Sequence, residues 1–301
     1  MKPVFRLLLR TLLVPAGLIV ESCQSTRSAT TSRMLKFNFE KGKGYDYEMI
    51  VNLDQEVDGR TMQMDMSNYY SMTVSEDDGN LKTITTRFER FKINMDMMGF
   101  TIELDSEHPI AEGKDSITAK LNKVNAALAA IKGRQFRMKV NPEGKVEEIS
   151  GLKGMAGAIA DSLGLDEKQK QLMAARFDQQ FNDKEVQGQF EQVFNILPNK
   201  EVKVGDNWKK TINAGSMFRG SAMTSTYTVE EIEGDMVTLE EKTQVQPNGQ
   251  TGMSGTISGT LVVDSRTGLV VNADRDITLS MTQGGKEVTM KGKSKIKGKA
   301  L

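Results

Sequence analysis

Methionines fall at alternate positions in TMQMDMSNYYSM, residues 61–72: Met62, Met64, Met66 and Met72, with Tyr70 in step. Met95, Met97 and Met98 form a second group in INMDMM. Three chemistries are open to such a face. Soft thioethers ligate Cu(I), they fill irregular cores, and they line pockets for apolar ligands of variable shape. No histidine or cysteine stands near either group to back a metal site, so no metal is assigned. The chain offers little else to a catalyst. With His108 as its one histidine and Cys23 as its one cysteine, it has no set of ligands for a Cys/His zinc site and no intrachain disulfide. A Ser-His-Asp triad would have to use His108, which reads as an exposed loop residue beside a proline. Glu40, Asp46, Glu103 and Asp105 could pair as glycosidase carboxylates, but acids alternate along nearly every strand pattern, as solvated outer faces do. GLKGMAG (151–157) lacks the Lys-Ser/Thr ending of a phosphate loop. Forty basic residues against forty acidic ones leave no overall basic field for nucleic acid. The expectation is a protein that is not an enzyme, carries no cofactor and binds no nucleic acid.

The elements that would position the methionines are strands. YDYEMIVNL puts Tyr45, Tyr47, Met49, Val51 and Leu53 on one face and Asp46, Glu48 and Asn52 on the other, the period of a sheet with one buried face. Asp58-Gly59 is a hairpin turn signal between this strand and the methionine strand. In LKTITTRFERFKINMDM the apolar parity switches between Phe88 and Phe91, which predicts a bulge there. The middle third changes period. Ile117, Leu121, Val124, Leu128 and Ile131 form one helical stripe with Gly133 just past its end. RQFRMKV and VEEI then read as a hairpin. Residues 152–197 are helical in character, with Phe177, Phe181, Phe190 and Phe194 among the apolar positions. Strands return from TSTYTVEEI onward. The last alternates Val288, Met290, Gly292, Ser294 and Ile296 against Lys291, Lys293, Lys295 and Lys297, a lysine row suited to a strand that must not recruit another chain.

The N-terminus, MKPVFRLLLRTLLVPAGLIVESC, has Lys2, Arg6 and Arg10 ahead of a short apolar run from Leu12 to Val20. Val20-Glu21-Ser22-Cys23 resembles a bacterial lipobox, with Glu21 a departure from the usual small or apolar residue. The resemblance implies a signal peptide over residues 1–22 and lipidation of Cys23 by diacylglycerol and palmitate. Residues 23–33, beginning CQSTRSATTS, then form a polar tether, and the membrane is a partner through the N-terminal lipid. Gln24 lacks the aspartate that marks inner-membrane retention in enterobacterial lipoproteins, so the expected place is the cell envelope, on the periplasmic face of the outer membrane.

Two pairs of segments echo each other. TVSEDDGNLKTI (73–84) aligns without a gap to TVEEIEGDMVTL (228–239), and FTIELDSE (100–107) parallels GTLVVDSR (259–266). Such an echo suggests a duplicated β unit. The order FNILPNKEVKVGDNW (194–208) then SGTLVVDSRTGLV (258–270) resembles a group of Bacteroidota cell-envelope lipoproteins of unknown function. That resemblance covers the C-terminal part of the chain and brings no activity. Within it, Trp208 reads as a buried anchor for the Gly205-Asp206 turn, and Asp264 with Gly268 as a hairpin. More loosely, the order of elements resembles lipoprotein-carrier half-barrels, whose concave apolar face holds acyl chains. The expected fold is α+β and predominantly antiparallel β: a curved sheet, sandwich or half-barrel, with residues 34–301 as one domain and a helical insertion near 115–197. Met62, Met64, Met66, Tyr70, Met72, Met95 and Met97 are the candidate face for an apolar ligand such as an acyl chain. The alternative is a structural or interaction lipoprotein with that face filled as core by helix 116–132.

Overall fold

The computed structural model describes residues 31–57, 60–97, 100–108, 116–180, 183–213, 221–247, 252–283 and 286–301, all within one compact unit from Thr31 to Leu301. Cys23 and the expected signal and tether before residue 31 lie outside the described residues, as do Met98 and Phe181. The N-terminal strands are β1 (Arg33–Leu35), β2 (Gly44–Val57), β3 (Arg60–Asp77), β4 (Lys82–Met97) and β5 (Phe100–Asp105). Helix α1 (Ser116–Ile131), the hairpin β6 (Gln135–Val140) and β7 (Val146–Ser150), and helices α2 (Lys153–Ser162), α3 (Glu167–Gln180) and α4 (Asp183–Phe194) follow. The rest is strand: β8 (Lys200–Val202), β9 (Asn207–Asn213), β10 (Ala222–Glu233), β11 (Met236–Gln246), β12 (Ser254–Asp264), β13 (Leu269–Gln283) and β14 (Lys286–Ala300). The fold is α+β with one large, curved antiparallel sheet that does not close into a barrel. Its strand order is β7-β6-β4-β3-β2-β14-β13-β12-β11-β10-β9, with β5 also on β4; β1 and β8 pair separately.

The alternation of β2 becomes its packing. Tyr45 and Tyr47 are buried and Met49 packs against the same core, while the opposite face carries Asp46 and Glu48. On β4 the expected bulge is present. Tyr69 pairs with Arg90 and Tyr70 with Phe88, so Glu89 is the extra residue and the inward parity changes across it. The first pair of echo segments, 73–84 and 228–239, both fold as antiparallel hairpin turns, β3–β4 and β10–β11.

The lysine row has another role than the one expected of it. Strand β14 is not an edge; it lies between β13 and β2 in the middle of the sheet. Its lysines stand on the solvated face and pair across strands: Lys293 with Asp276 at 2.9 Å, Lys295 with Asp274 at 3.4 Å and Lys297 with Glu48 at 3.0 Å. An outward row of charge reports a wet face. It does not report whether a neighbour is hydrogen-bonded alongside.

One half of the concave face is filled. Val186, Phe190, Val193 and Phe194 recur at helical spacing on α4 and are buried against the sheet. Leu35, Phe37 and Phe39 join them, with Phe39 stacked on Tyr45 at 3.9 Å between ring centroids. Trp208 is buried in this cluster, and its indole N–H donates to the Ile196 carbonyl at 2.7 Å. The turn after β12 is held by Asp264, which accepts from the Arg266 backbone N–H at 3.0 Å, and by Gly268 at φ +76°. The helix that fills the face is therefore α4, not helix 116–132. Helix α1 packs on β5 and α2, at the margin of the sheet.

Buried Asn125 ties α1 to β5: its side-chain oxygen accepts from the Asp105 N–H at 2.9 Å and its amide donates to the His108 carbonyl at 2.9 Å. Asp105 also receives Arg90 in a two-pronged contact at 3.1 and 2.5 Å. Arg90 holds the Asp105 carboxyl well below the usual carboxylate range, against the opposing effect of burial. A depressed carboxyl contributes stability that is present above its unfolded value of about 3.9 and is lost as pH falls through the folded value. Arg90→Met should raise the Asp105 midpoint, read by carboxyl NMR titration, and should weaken the chain at neutral pH. An unmoved midpoint would mean that Arg90 does not set it.

Candidate functional site

The other half of the concave face holds a cleft of about 300 Å³. Register places its lining in successive cross-strand rows. The first row runs from Tyr227 on β10 through Glu241, Gly259, Arg275, Ser294 and Val51 to Met66 on β3. The next runs from Ser225 through Thr243, Ile257, Ile277, Gly292 and Leu53 to Met64. A third brings Ile212, Met223, Leu279 and Met290 into the lining, and Met253 joins from the segment before β12. Side chains two apart on a strand share a face, so each strand gives one residue to each row. On the far side of the first row, Val229, Leu239, Leu261, Ala273 and Ile296 belong to the filled core. The cleft thus begins beside α4, and Gln192 of α4 is part of its lining.

The first row is polar amid apolar surroundings. Arg275 Nε donates to Glu241 at 2.5 Å, and the Tyr227 hydroxyl donates to the other carboxylate oxygen at 3.1 Å. Thr243 adds a hydroxyl to that same oxygen at 3.2 Å and also meets Ser225 at 2.6 Å. Glu241 and Arg275 are on β11 and β13, with β12 between them. They reach each other because the residue between is Gly259. A Cβ there would lie 2.1 Å from the Asp274 carbonyl oxygen, so no side chain can stand in the gap. Burial works against the Arg275 charge, but Glu241 and Tyr227 together outweigh it and the guanidinium is held above its ordinary value. Burial, with Glu241 beside it, pushes the Tyr227 hydroxyl up, so it stays a donor.

The methionines and tyrosine singled out from the sequence divide along β3. Met64 and Met66 line the cleft. Met62 and Met95 line a smaller hollow of about 70 Å³ that shares Leu53, Met64 and Met290 with it. Tyr70 and Met72 do not face the cleft; they are buried in the α4 end, where Tyr70 lies 5.7 Å from Phe190 between ring centroids. Met97 pairs with Met62 in the β4–β3 register. His108 is exposed, 3.1 Å from Asp105, and borders a different hollow.

Most of the lining comes from the C-terminal strands, which the sequence reading left unassigned. The signal was present. In MVTLEEKTQVQ, Glu241 falls in phase with Val237, Leu239 and Val245, and Arg275 falls in phase with Ala273, Ile277 and Leu279. Two opposite charges in the apolar phase of two strands mark inward polar groups. Reading the alternating acids as solvated outer faces passed over Glu241.

The model of a family of unknown function, DUF6263, matches residues 78–270. No curated protein matches the chain. Among solved structures, one titled for lipid–protein interactions in lipovitellin is similar at 9% identity and a TM-score of 0.48, over 87% of this chain and 25% of that one. The chain spans about a quarter of the length of that relative. DynF, from the dynemicin biosynthesis pathway of Micromonospora chersina, is similar at 6% identity and a TM-score of 0.19, over 88% and 84% of the two chains. A β-barrel-like protein of the DUF1849 domain of unknown function from Brucella abortus stands at 9% and 0.18, over 90% and 100%. Likenesses at this level carry no argument about what the cleft holds.

Proposed function

Since the chain belongs to DUF6263, a family of unknown function, no activity comes with the family, and we propose that it is a lipid-anchored, periplasm-facing, non-catalytic protein that holds an apolar ligand in the cleft. One observation carries the reading. The same concave face that α4 fills at one end is left open at the other, where the walls are Met, Ile and Leu side chains. Adaptable thioethers beside aliphatic side chains suit an acyl chain of variable shape. At about 30 Å³ per water-sized unit, the cleft has room for on the order of ten such units, the bulk of one medium acyl chain.

What supports a non-catalytic role is the state of the polar groups. Glu241, the one carboxylate in the described lining, already accepts from Arg275, Tyr227 and Thr243, so it is not poised as a base. What supports the rival reading, a structural or interaction lipoprotein, is the α4 end, where Tyr70 and Met72 are core. The anchor rests on the sequence around Cys23, and the outer-membrane location on Gln24.

Native mass spectrometry tests both halves of the reading. The chain from cell envelopes should carry covalent diacylglycerol and acyl mass at Cys23, and Cys23→Ser should not. The Cys23→Ser chain should still bring with it a lipid-sized mass that denaturation releases. Met64 is only partly exposed and faces the cleft, so adding Met64→Asp should leave the fold intact and remove that mass. A bare polypeptide that stays bare after incubation with monoacyl lipids would overturn the ligand reading.

A further inference from the structure

We infer that the ligand is a single-chain acyl compound, a carboxylate or its ester, and that Arg275 seats its head through Nη1 and Nη2, with the Ser294 hydroxyl opposite. The inference rests on the cleft being a ligand site. It follows from which polar atoms of the lining are engaged and which are not.

Arg275 is only partly used by the fold. Its Nε donates to Glu241, and neither Nη1 nor Nη2 has a hydrogen-bond partner among the described residues. A guanidinium carries five N–H donors and no acceptor, so the Nη donors all remain to be met by water or by a ligand. They are not sealed in the core. Among the described residues, the one side-chain atom both fully buried and without a partner is the Thr86 hydroxyl. The Nη atoms therefore open on the cleft that Arg275 lines. The side chain as a whole is held: it is 8% exposed, and Glu241 fixes its Nε edge. Ser294 stands directly across from Arg275 in the β13–β14 register, lines the same cleft and makes no side-chain hydrogen bond among the described residues. Directly opposed residues have their Cβ atoms about 5 Å apart, so both reach one head group.

Donors left free call for acceptors. The Nη groups of a planar guanidinium suit the oxygens of an acyl head, and the Ser294 hydroxyl adds a further donor. A cationic head meets the wrong sign at Arg275. Glu241 is poorly placed to balance it, since its carboxylate already accepts from Arg275, Tyr227 and Thr243. A head without acceptors expels water from the Nη donors and gives nothing back, and an unmet buried donor is costly. The rows also set the orientation. Arg275 and Ser294 belong to the row beside the filled core, and Ile277 and Met64, then Leu279 and Met290, follow in the next two. The head thus lies at the α4 side and the chain runs away from it along those four side chains.

Displacement of a fluorescent fatty acid from the full chain carrying Cys23→Ser tests this at pH 8, with three probes of one chain length below their micellar concentrations: laurate, 1-monolauroylglycerol and dodecyltrimethylammonium. The tighter of the two acyl probes should bind at least about tenfold more tightly than the ammonium, and which of the two it is tells whether the head is ionised. Adding Arg275→Met with Glu241→Leu, which removes both charges together, should abolish that preference. Ser294→Ala should weaken the preferred acyl probe severalfold and leave the ammonium unchanged. Ammonium binding as tightly as both acyl probes would overturn the head-group inference and leave the cleft reading standing. A preference that survives loss of Arg275 would overturn Arg275 as the seat. Failure of all three probes and of the fluorescent fatty acid to bind would overturn the cleft reading and this one with it. Should the charge-free variant fail to fold, the preference of the unaltered cleft and the Ser294→Ala result still decide the matter.

Discussion

Phe194→Ala lowers the free energy of unfolding by about 3–5 kcal/mol, and Met64→Ala lowers it by about 1 kcal/mol or less. The two residues share the concave face but occupy its two ends. Phe194 is buried, and its ring lies 5.3 Å from Phe37, 5.7 Å from Phe39, 6.3 Å from Tyr47 and 5.9 Å from Phe190, between centroids. Those neighbours come from α4, from the segment between β1 and β2 and from the sheet, so no single element can move to close the void. Truncation therefore removes the transfer energy of a large side chain and leaves a cavity as well. Met64 already borders open space. Shortening it enlarges a cleft that is present in any case, and the lost burial is small. Urea unfolding followed through Trp208, the chain's one tryptophan and a member of the α4-end cluster, measures both losses. Equal losses would mean that the two ends are packed alike, and the cleft would then be core.

Arg275→Met should cost about 3–5 kcal/mol, as should Glu241→Leu, while the double variant should cost far less than their sum. Each single change strands a buried charge in low-dielectric surroundings. The double change removes both charges and leaves apolar side chains in apolar surroundings. The network is more than a pair, since the Tyr227 and Thr243 hydroxyls lose their acceptor with Glu241. Glu241→Leu is accordingly the more damaging of the two. A double-mutant cycle isolates the coupling. Additive losses would show that the two groups do not depend on each other.

Much of the fold was legible because strand faces are a local property. Tyr45, Tyr47, Met49, Val51 and Leu53 alternate because the pleat sends successive side chains to opposite faces. The Glu89 bulge could be read from the parity change between Phe88 and Phe91, and the Asp264–Gly268 turn from its residue types. Phe190 and Phe194 could be read as one apolar helical stripe. The neighbour of each strand could not be read this way. The lysines of β14 alternate with apolar residues whether that strand is an edge or, as here, sits between β13 and β2. Helices 116–131 and 183–194 both carry an apolar stripe, and nothing local distinguishes the one that fills the sheet from the one that flanks it.

The candidate site divides in the same way. Sequence alone determined that Met62, Met64, Met66, Tyr70 and Met72 share one face of one strand, because a period of two is set within the strand. Only the tertiary structure decided that Met64 and Met66 meet a cleft while Tyr70 and Met72 meet Phe190 and its neighbours. The reason is where α4 lies: it touches β7 and β9, the two edges of the strand order, and meets β3 at Tyr70, which leaves the Met64 end of that strand open. The Glu241–Arg275 pair is decided at the same level. Each charge stands visibly in the apolar phase of its own strand. Their meeting requires β11, β12 and β13 to lie side by side, with a glycine at the one position that separates them.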